Sequence, residues 1–277
     1  MLEPNNSEGS TRLNSKESVV SDCLRELQAI ITDVDQIRIS AVVMGTGYTG
    51  VRLSSGQVGM AHSLLTERTS GSVHMSDRAG HLAGSLALEL AGLAFSWDIR
   101  ARVVGIATLN ALSQIALDKL GRGIRPFQGD ILDHLTIEGK VVAVVGNMQP
   151  IVVKLRETAD QVYVLERSLE LRGENTLPDT AAEDIIPSSD VVLITGTAIE
   201  NGTIDRLLEL SKNAEEVAIV GPTAGILPTV LFKRGATIVG TVQVTNPDKA
   251  MQIISEGGMP RALVEATARR VYRPAHA

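Results

Sequence analysis

Cysteine and aromatic residues are scarce in this chain of 277 residues, and it has no excess of positive charge. Cys23 is the single cysteine, which excludes an internal disulfide framework and a thiolate metal cluster. Aromatic residues make up 3% of the sequence and the formal net charge is −6, which argues against nucleic acid or an anionic membrane as the main partner. No apolar run approaches the roughly 20 residues of a membrane helix. These absences favour a small-molecule partner and leave a homo-oligomer open.

Motifs for metal binding and for a protein nucleophile are also missing. The histidines are scattered, with no H-x-x-x-H pair and no His/Cys pair at ligand spacing. They are His62, His74, His81, His134 and His276. There is no G-x-S-x-G elbow, and Cys23 lies on the apolar face of a predicted helix, where a buried, inert thiol is expected. The sequence therefore predicts no intrinsic metal-ligand set.

Residues 17–125 are predicted to form an α+β domain. The 16 residues before it are polar and lack the apolar core of a secretory signal, which predicts a disordered tail on a cytoplasmic protein. Apolar spacings of three and four predict a helix from Glu17 to Ile31, and β-rich segments around glycine turns predict a strand meander. The strands are expected at Ile37–Met44, at Tyr48–Leu53 and near Val58. Helices are expected over Arg78–Leu93 and Ile99–Leu120.

Residues 126–277 alternate between strand and helix patterns, which predicts a Rossmann-like α/β domain with a mostly parallel sheet. The boundary is placed at the glycine- and arginine-rich break over residues 121–126. Strands are expected near 141–145, 161–165, 190–194, 216–220 and 237–240, and helices near 150–157, 203–211 and 224–233. A last helix has a clear start, because Asn246 can cap it and Pro247 fits its first position.

The segment Val141–Pro150, VVAVVGNMQP, runs from a strand through a glycine turn into a helix. Twenty residues after Gly146, the strand VYVLE ends in Glu166, which is the spacing of a nucleotide-binding half whose acid binds ribose hydroxyls. The turn is not G-x-G-x-x-G, and Pro150 removes an N–H that a pyrophosphate could use. A glycine that only turns the chain, and a solvated salt-bridge network around Glu166, remain the alternatives.

Ligands of open parallel sheets bind outside the carboxyl ends of the strands. The residues that follow each predicted strand are therefore the candidate cofactor contacts, and several are small or hydroxylated. They are Gly146, Asn147, Met148, Glu166, Thr195, Gly196, Thr197, Gly221, Pro222 and Thr223, with Thr241 after the last strand and Asn201 before the next helix.

Three further residues are candidates for catalysis. Tyr48 lies in the glycine-rich turn Gly45–Gly50 and is a candidate for facing an interdomain cleft, although a tight hairpin explains the turn equally well. Asn110 is a polar residue in an apolar helix and needs partners, either neighbouring backbone or a ligand. Asp179 lies in a long connection, where it is either an active-site acid or base or the N-cap of a short helix.

Five motifs together resemble one family. They are VVMGTGYTGVRLSSGQVGMAHSL, GIATLNALSQ, VGNMQP, LPDTAAEDIIPSSDVVLITGTAIENGTIDRLLEL and GPTAGILPTVLFKRGA. From about Glu17 to Gly258 the chain resembles the DUF4213/DUF364 family of heavy-metal chelation proteins. The resemblance implies a domain similar to the enolase N-terminal fold, then a Rossmann-like domain similar to that of S-adenosylmethionine-dependent methyltransferases, with an active site between them.

The resemblance also implies condensation or hydrolysis chemistry in making pterin-, flavin- or siderophore-like chelators. We therefore expect a small-molecule enzyme with an interdomain site for a nucleoside, with S-adenosylmethionine as the cofactor and NAD as the alternative. The expected reaction is transferase-like, or lyase- or hydrolase-like. The alternative function is a non-enzymatic binder or carrier of a metal–chelate complex.

Overall fold

The computed structural model describes residues 17–64, 78–121, 124, 126–127 and 129–274. The predicted tail over residues 1–16 lies outside these residues, as do His74 and His276. The described chain forms two sheets, one of three antiparallel strands and one of seven mostly parallel strands. The fold is therefore mixed α/β, with a smaller sheet first and a larger sheet second.

The smaller sheet comes from the first strands of the chain. These strands are β1 (Ile39–Met44), β2 (Tyr48–Leu53) and β3 (Val58–His62), which form an antiparallel meander in that order. The helix before it, α1 (Val19–Ile30), begins at Ser18, whose hydroxyl accepts a hydrogen bond from the backbone N–H of Ser21. After the meander come α2 (Ala87–Gly92) and α3 (Ile99–Leu120).

The predicted helix over Arg78–Leu93 is wrong in its first half. Residues 78–86 form turns and end in a β-bridge between Leu86 and Arg38. Gly80 and Gly84 have φ values of +84° and +89°, a left-handed conformation that interrupts a right-handed helix. The leucine spacing was misleading because both parts of this segment bury their leucines in the same core.

The helix α3 lies between the two sheets. It crosses β3 so closely that a Cβ on Gly59 would lie 2.0 Å from the carbonyl oxygen of Ala107. This 22-residue helix is long and apolar enough to span a membrane, which corrects the sequence expectation that no such run exists. However, 67% of its most apolar window is buried inside the protein, as in a core helix. The close crossing fixes where the polar residues of α3 lie.

The larger sheet has the strand order β10-β9-β8-β7-β4-β5-β6. Its strands are β4 (Val141–Val145), β5 (Gln161–Glu166), β6 (Thr176–Pro178), β7 (Val191–Thr195), β8 (Glu216–Val220), β9 (Ile238–Val244) and β10 (Thr267–Tyr272). All neighbours are parallel except β10, which is antiparallel to β9. Counted from β4, the parallel strands follow the order 3-2-1-4-5-6, so the topological switch lies between β4 and β7. The sequence predicted neither β6 nor β10.

Short helices connect these strands. They are α4 (Gln149–Arg156), α5 (Ala182–Ile185), α6 (Thr197–Glu200), α7 (Ile204–Leu210), α8 (Pro228–Phe232), α9 (Pro247–Ser255) and α10 (Pro260–Leu263). The predicted helix near 224–233 is shorter than expected, because it begins only at Pro228. The predicted start of α9 is confirmed, since the Asn246 side chain accepts a hydrogen bond from the N–H of Lys249 and Pro247 follows.

The two sheets share their covering helices. The first helix, α1, packs against α3 and also against α8 beside the larger sheet, where Asp22 pairs with Arg234 at 2.6 Å. In return, α9 comes from the end of the chain and covers the smaller sheet, with Met251 and Ile254 buried beside Tyr48. Each sheet therefore depends on a helix from the other half of the sequence.

Candidate functional site

The turn after β4 lies at the topological switch of the larger sheet. Gly146 has a φ of +94°, and a Cβ on it would lie 2.8 Å from Cγ2 of Thr195, so the turns after β4 and β7 are in contact. The hydroxyl of Thr197 donates to Oγ1 of Thr195 at 3.1 Å. The structure thus brings together three residues that the sequence predicts at one ligand edge.

Glu166 ends β5 and faces the same turn. Its side chain is buried, and its two carboxylate oxygens accept hydrogen bonds from the backbone N–H groups of Asn147 and Ser168, both at 2.8 Å. Among the described residues it forms no ion pair, so the salt-bridge alternative is wrong. The carboxylate ties the β4 turn to the end of β5. Its binding of ribose stays a prediction, since each oxygen can accept a second hydrogen bond.

The backbone of this turn has no N–H left for a phosphate. The amides of residues 146 to 149 donate to the carbonyl of Leu165, the carboxylate of Glu166, and the carbonyls of Gly146 and Asn147. The next residue, Pro150, has no N–H. A pyrophosphate cradle depends on free amides at a helix start. The turn therefore suits a ligand without phosphate better than a dinucleotide.

The loops after β7 and β8 pack against each other and bind mainly to themselves. A Cβ on Gly196 would lie 2.5 Å from the backbone nitrogen of Ala224. Asn201 Oδ1 accepts from the N–H and the hydroxyl of Thr203 at 3.1 and 2.7 Å. The buried Thr223 Oγ1 accepts from the backbone N–H of His62 at 3.1 Å. These contacts shape the edge of the sheet.

A cavity of about 260 Å³, the first cavity, lies between β3, α3 and the strands β9 and β10. One wall is α3, which contributes Asn110, Gln114 and Asp118. Residues four apart lie on one face of a helix, so this wall carries a polar stripe on an otherwise apolar helix. The first cavity therefore lies between the two sheets, with Asn110 in its wall.

Asn110 is the most buried polar residue in the wall of the first cavity, with 3% of its surface exposed. Its Nδ2 donates to the carbonyls of Met60 at 2.6 Å and Thr223 at 3.2 Å. These bonds fix the orientation of the amide, because a flip would face Oδ1 towards carbonyl oxygens. Oδ1 is buried and has no hydrogen-bond partner in the described part of the chain. The amide thus binds neighbouring backbone with its donors and keeps an acceptor unused.

The opposite wall consists of side chains from β9 and β10. Thr241 pairs directly with Arg270 across these antiparallel strands, so their side chains lie on the same face of the sheet. Thr241 Oγ1 is buried and has no partner among the described residues. Arg270 Nε donates to the side-chain oxygen of Gln243 at 2.9 Å, and Nη1 donates to the carbonyl of Arg269 at 3.0 Å. This orients the guanidinium.

Among the cavity residues that sequence reasoning missed are four with polar or charged side chains. Two of them, Gln114 and Asp118, follow Asn110 at intervals of four, and that polar stripe could have been seen in the sequence. The other two, Gln243 and Arg270, lie on the pair of strands whose second member was not predicted.

The second cavity, of about 370 Å³, lies at the carboxyl end of β8 and beside the middle of β9. Its lining is mainly apolar and includes Met148, Gly221 and Pro222, three predicted cofactor contacts. Pro222, Thr241, Val242 and Arg270 line both cavities, so the two are adjacent. We call the two cavities together the cleft. It offers an apolar chamber beside a polar one.

Tyr48 is buried and lines neither cavity. Its ring meets that of His62 edge-on, with centroids 5.6 Å apart. Burial, and secondarily the charge of Glu200, raises the pKa of Tyr48 to about 12, and burial lowers the pKa of His62. Both side chains are therefore uncharged at neutral pH. A catalytic role for Tyr48 stays a prediction.

Asp179 lies far along the sheet from the cleft, beyond the edge strand β6. It opens a 3₁₀ turn (Asp179–Ala181) before α5, and its side chain makes no capping hydrogen bond there. The N-cap interpretation is therefore wrong. Instead, its Oδ2 lies 3.8 Å from Nε of Arg167 on the protein surface.

Within the described residues, no group of three or more His, Cys, Asp and Glu side chains is placed to hold a metal ion. Cys23 is fully buried in α1, and burial raises the pKa of its thiol to about 12. The polar side chains that the cleft does offer are three amides, two hydroxyls, two carboxylates, two guanidinium groups and one ammonium. They belong to Asn110, Gln114, Gln243, Thr241, Tyr272, Asp118, Asp130, Arg269, Arg270 and Lys154.

The family profile DUF364, described as "Putative heavy-metal chelation", matches residues 130–273. A second profile with the same description, DUF4213, matches residues 27–113. The chain belongs to the DUF364 family. The two matches together include β3, Asn110 on α3, and the strands β9 and β10, whereas Gln114 and Asp118 lie between the two matched ranges.

Relatives of this DUF364 chain are similar over different extents. An uncharacterized protein of Methanocaldococcus jannaschii, MJ0500, is 35% identical over 164 residues, which are 59% of this chain and 62% of that protein. The crystal structure of a DUF364 protein of unknown function from Pyrococcus horikoshii is 27% identical, with a TM-score of 0.79 over 92% of this chain and 100% of that one. Another, from Desulfitobacterium hafniense, is 24% identical, with a TM-score of 0.72 over 91% and 98%. The whole fold is thus shared within the family.

Proposed function

We propose that this DUF364 protein is a cytoplasmic small-molecule enzyme whose active site is the cleft. The observation that carries the proposal is the unused, buried acceptor Oδ1 of Asn110 in the cleft wall. A buried polar atom without a partner costs about 1–3 kcal/mol. A ligand that donates a hydrogen bond at this position recovers that cost, so the wall is better suited to the bound state than to the empty one.

S-adenosylmethionine is the proposed cofactor, in preference to NAD. The amides of the turn after β4 are already used, which disfavours a pyrophosphate, and S-adenosylmethionine carries a nucleoside without phosphate. The second cavity is mainly apolar and would hold the flat base against Met148, Gly221 and Pro222. Glu166 lines neither cavity, so the proposal does not depend on its binding ribose.

The proposed reaction is a transfer between two bound small molecules. Among the described residues, no cysteine, serine or histidine lines either cavity. The protein would therefore act by positioning and electrostatics and not through a covalent intermediate. The acceptor molecule would be a metal-chelating compound of siderophore, pterin or flavin type, in keeping with the family's description.

The proposal also includes the fold type of the N-terminal half. A three-stranded antiparallel meander followed by helices supports a likeness to the enolase N-terminal domain. In that arrangement the N-terminal half would close the site and supply Asn110, while the larger sheet would bind the cofactor.

A second candidate function is a non-enzymatic carrier of a metal–chelate complex. It is favoured by the family's description together with the finding that the described side chains form no metal-ligand cluster. A metal ion would then enter with its own organic ligand. This function predicts tight binding of a pre-formed complex, with no product formed on incubation.

Isothermal titration calorimetry with S-adenosylmethionine, S-adenosylhomocysteine, NAD and a ferric siderophore tests the proposal. Val242, which lines both cavities, is replaced by tryptophan to block the cleft, and the exposed Val153 is replaced in the same way as a control. We expect the adenosyl compounds to bind, at least tenfold more weakly in Val242→Trp, with no change in Val153→Trp. Equal binding by both variants would contradict the cleft, and binding of the ferric complex alone would favour the carrier.

A further inference from the structure

The first cavity is lined by two opposite charges that do not pair with each other. Arg270 stands on β10 and Asp118 on the facing side of α3, near its C-terminal end. Among the described residues, neither side chain forms an ion pair. Both nevertheless act on the buried phenol of Tyr272, whose pKa is raised by burial, lowered by Arg270 and raised by Asp118. The two charges therefore lie near one side chain, with the cavity between the elements that carry them.

The guanidinium of Arg270 is held in place but keeps binding capacity. Gln243 and the carbonyl of Arg269 fix Nε and Nη1, while Nη2 has no partner in the described part of the chain. The side chain is half-buried, which makes an uncompensated charge costly. A planar guanidinium with a free nitrogen is suited to an anionic oxygen such as that of a carboxylate.

The opposite wall offers acceptors for a cation. Asp118 is exposed at the mouth of the cavity and makes no hydrogen bond with the described residues. Two turns earlier on the same face of α3, Asn110 presents the unused Oδ1. The two positions are about 12 Å apart along the helix axis. The carboxylate of Asp118 can therefore bind an ammonium at the mouth, while the amide oxygen of Asn110 is left for a separate N–H group. The wall of α3 thus complements a positive donor, and the wall of β10 complements an anion.

We propose that the first cavity binds a zwitterionic aminocarboxylate, with its carboxylate on Arg270 and its amine on Asp118. The inference rests on the proposed function in placing the ligand in the cleft, and it adds the chemical class of the group bound there. The methionyl end of S-adenosylmethionine belongs to this class, and so does any free amino acid or aminocarboxylate chelator.

Three probes with a common skeleton test this class. L-methionine carries both groups, L-methioninol lacks the carboxylate, and 4-(methylthio)butanoate lacks the amine. Each is titrated by ligand-observed NMR into the wild-type protein, Arg270→Gln, Asp118→Asn and the control Arg261→Gln, whose side chain is exposed and outside both cavities. Inorganic phosphate is the competing anion.

The expected result is a crossed pattern, in which each variant weakens only the probes that carry the group its side chain binds. L-methionine binds at least tenfold more tightly than either truncated probe. Arg270→Gln weakens L-methionine but leaves L-methioninol unchanged, while Asp118→Asn weakens L-methionine but leaves the amine-free probe unchanged. Arg261→Gln matches the wild type. Equal affinity for all three probes, no binding of L-methionine, or displacement by phosphate at equal concentration would overturn the inference.

The same variants separate this inference from the proposed function. If S-adenosylmethionine binds the cleft equally well in wild type and Arg270→Gln, the aminocarboxylate assignment fails and the nucleoside proposal stands. If the crossed pattern is seen and no adenosyl compound binds, the aminocarboxylate assignment stands and the cofactor proposal fails. Arg270→Lys keeps the positive charge but not the planar guanidinium, so it is the conservative variant least prone to unfold. It should lose less affinity for L-methionine than Arg270→Gln.

Discussion

Replacing Thr241 with valine should stabilise the ligand-free protein and weaken its ligand complex. The hydroxyl Oγ1 is buried and has no partner in the described part of the structure. A buried hydroxyl without a hydrogen bond costs about 1–3 kcal/mol by mutational measurement. Valine has the same shape and β-branching, so it fits β9 without that cost. We expect a gain of about 1 kcal/mol in the free energy of unfolding.

A gain of that size should raise the melting temperature by about 2–4 °C for a chain of this length. Thr237 provides a matched control, because it immediately precedes β9 and its hydroxyl is fully engaged. It accepts from the N–H of Val217 at 3.0 Å and donates to the carboxylate of Glu216. Thr237→Val removes both hydrogen bonds and takes this acceptor away from the N–H of Val217, which should cost about 1–3 kcal/mol, although Glu216 keeps its ion pair with Arg273. The same substitution, threonine to valine, should therefore raise the free energy of unfolding at Thr241 and lower it at Thr237.

The assay is thermal and chemical unfolding of both variants, followed by titration with L-methionine. Loss of one neutral hydrogen bond, about 0.5–1.5 kcal/mol, should weaken binding about 2- to 10-fold in Thr241→Val. The reasoning is refuted if Thr241→Val loses as much stability as Thr237→Val, since its hydroxyl would then have a partner in the ligand-free state. Unchanged affinity in a stabilised variant would remove Thr241 from the site but leave the charge pair to be tested separately.

Three further predictions follow from buried groups outside the cleft. Glu166→Gln should lower stability by about 1–3 kcal/mol without changing ligand affinity, because an NH₂ group would face one of the two N–H groups that the carboxylate binds; weaker binding at unchanged stability would restore the ribose role. Burial lowers the pKa of His62, so the neutral imidazole contributes to the free energy of unfolding above pH 6.5, and this contribution should be lost as the pH falls towards the folded-state pKa. The melting temperature of His62→Gln should therefore fall less between pH 7.5 and 5 than that of the wild type. Burial also raises the pKa of the Cys23 thiol to about 12, so a disulfide reagent should titrate one thiol per chain in denaturant and almost none in the native protein; fast native labelling would contradict its burial.

Much of the larger sheet could be predicted because its signals are local. Runs of β-branched residues at regular intervals mark strands that are buried on both faces, and five of them were placed correctly. The start of α9 was also predicted, since Asn246 and Pro247 act within a single helical turn. Gly146 was recognised as a turn residue for the same reason. In these cases the chemistry and the structure lie within a few residues of each other, so the sequence was sufficient.

The remaining features depend on contacts between distant segments. The leucines before Ala87 have helical spacing, but the chain there pairs with Arg38 through a β-bridge that no local pattern encodes. β10 has two arginines in the middle of its six residues, so it does not look like a strand until it pairs with β9. Arg270 was missed for that reason. The Oδ1 of Asn110 could be called unused only after Met60 and Thr223 were seen to bind the other end of the amide.

The exchange of α1 and α9 between the halves has an evolutionary consequence. Each half reaches into the other to finish its own core, so a gene fragment encoding the smaller sheet alone would lack the helix that covers it. The reverse fragment would lack α1 and the ion pair between Asp22 and Arg234. Recombination could not swap either half for a different partner without breaking both. The two parts must therefore be inherited together if each is to keep the helix that covers it.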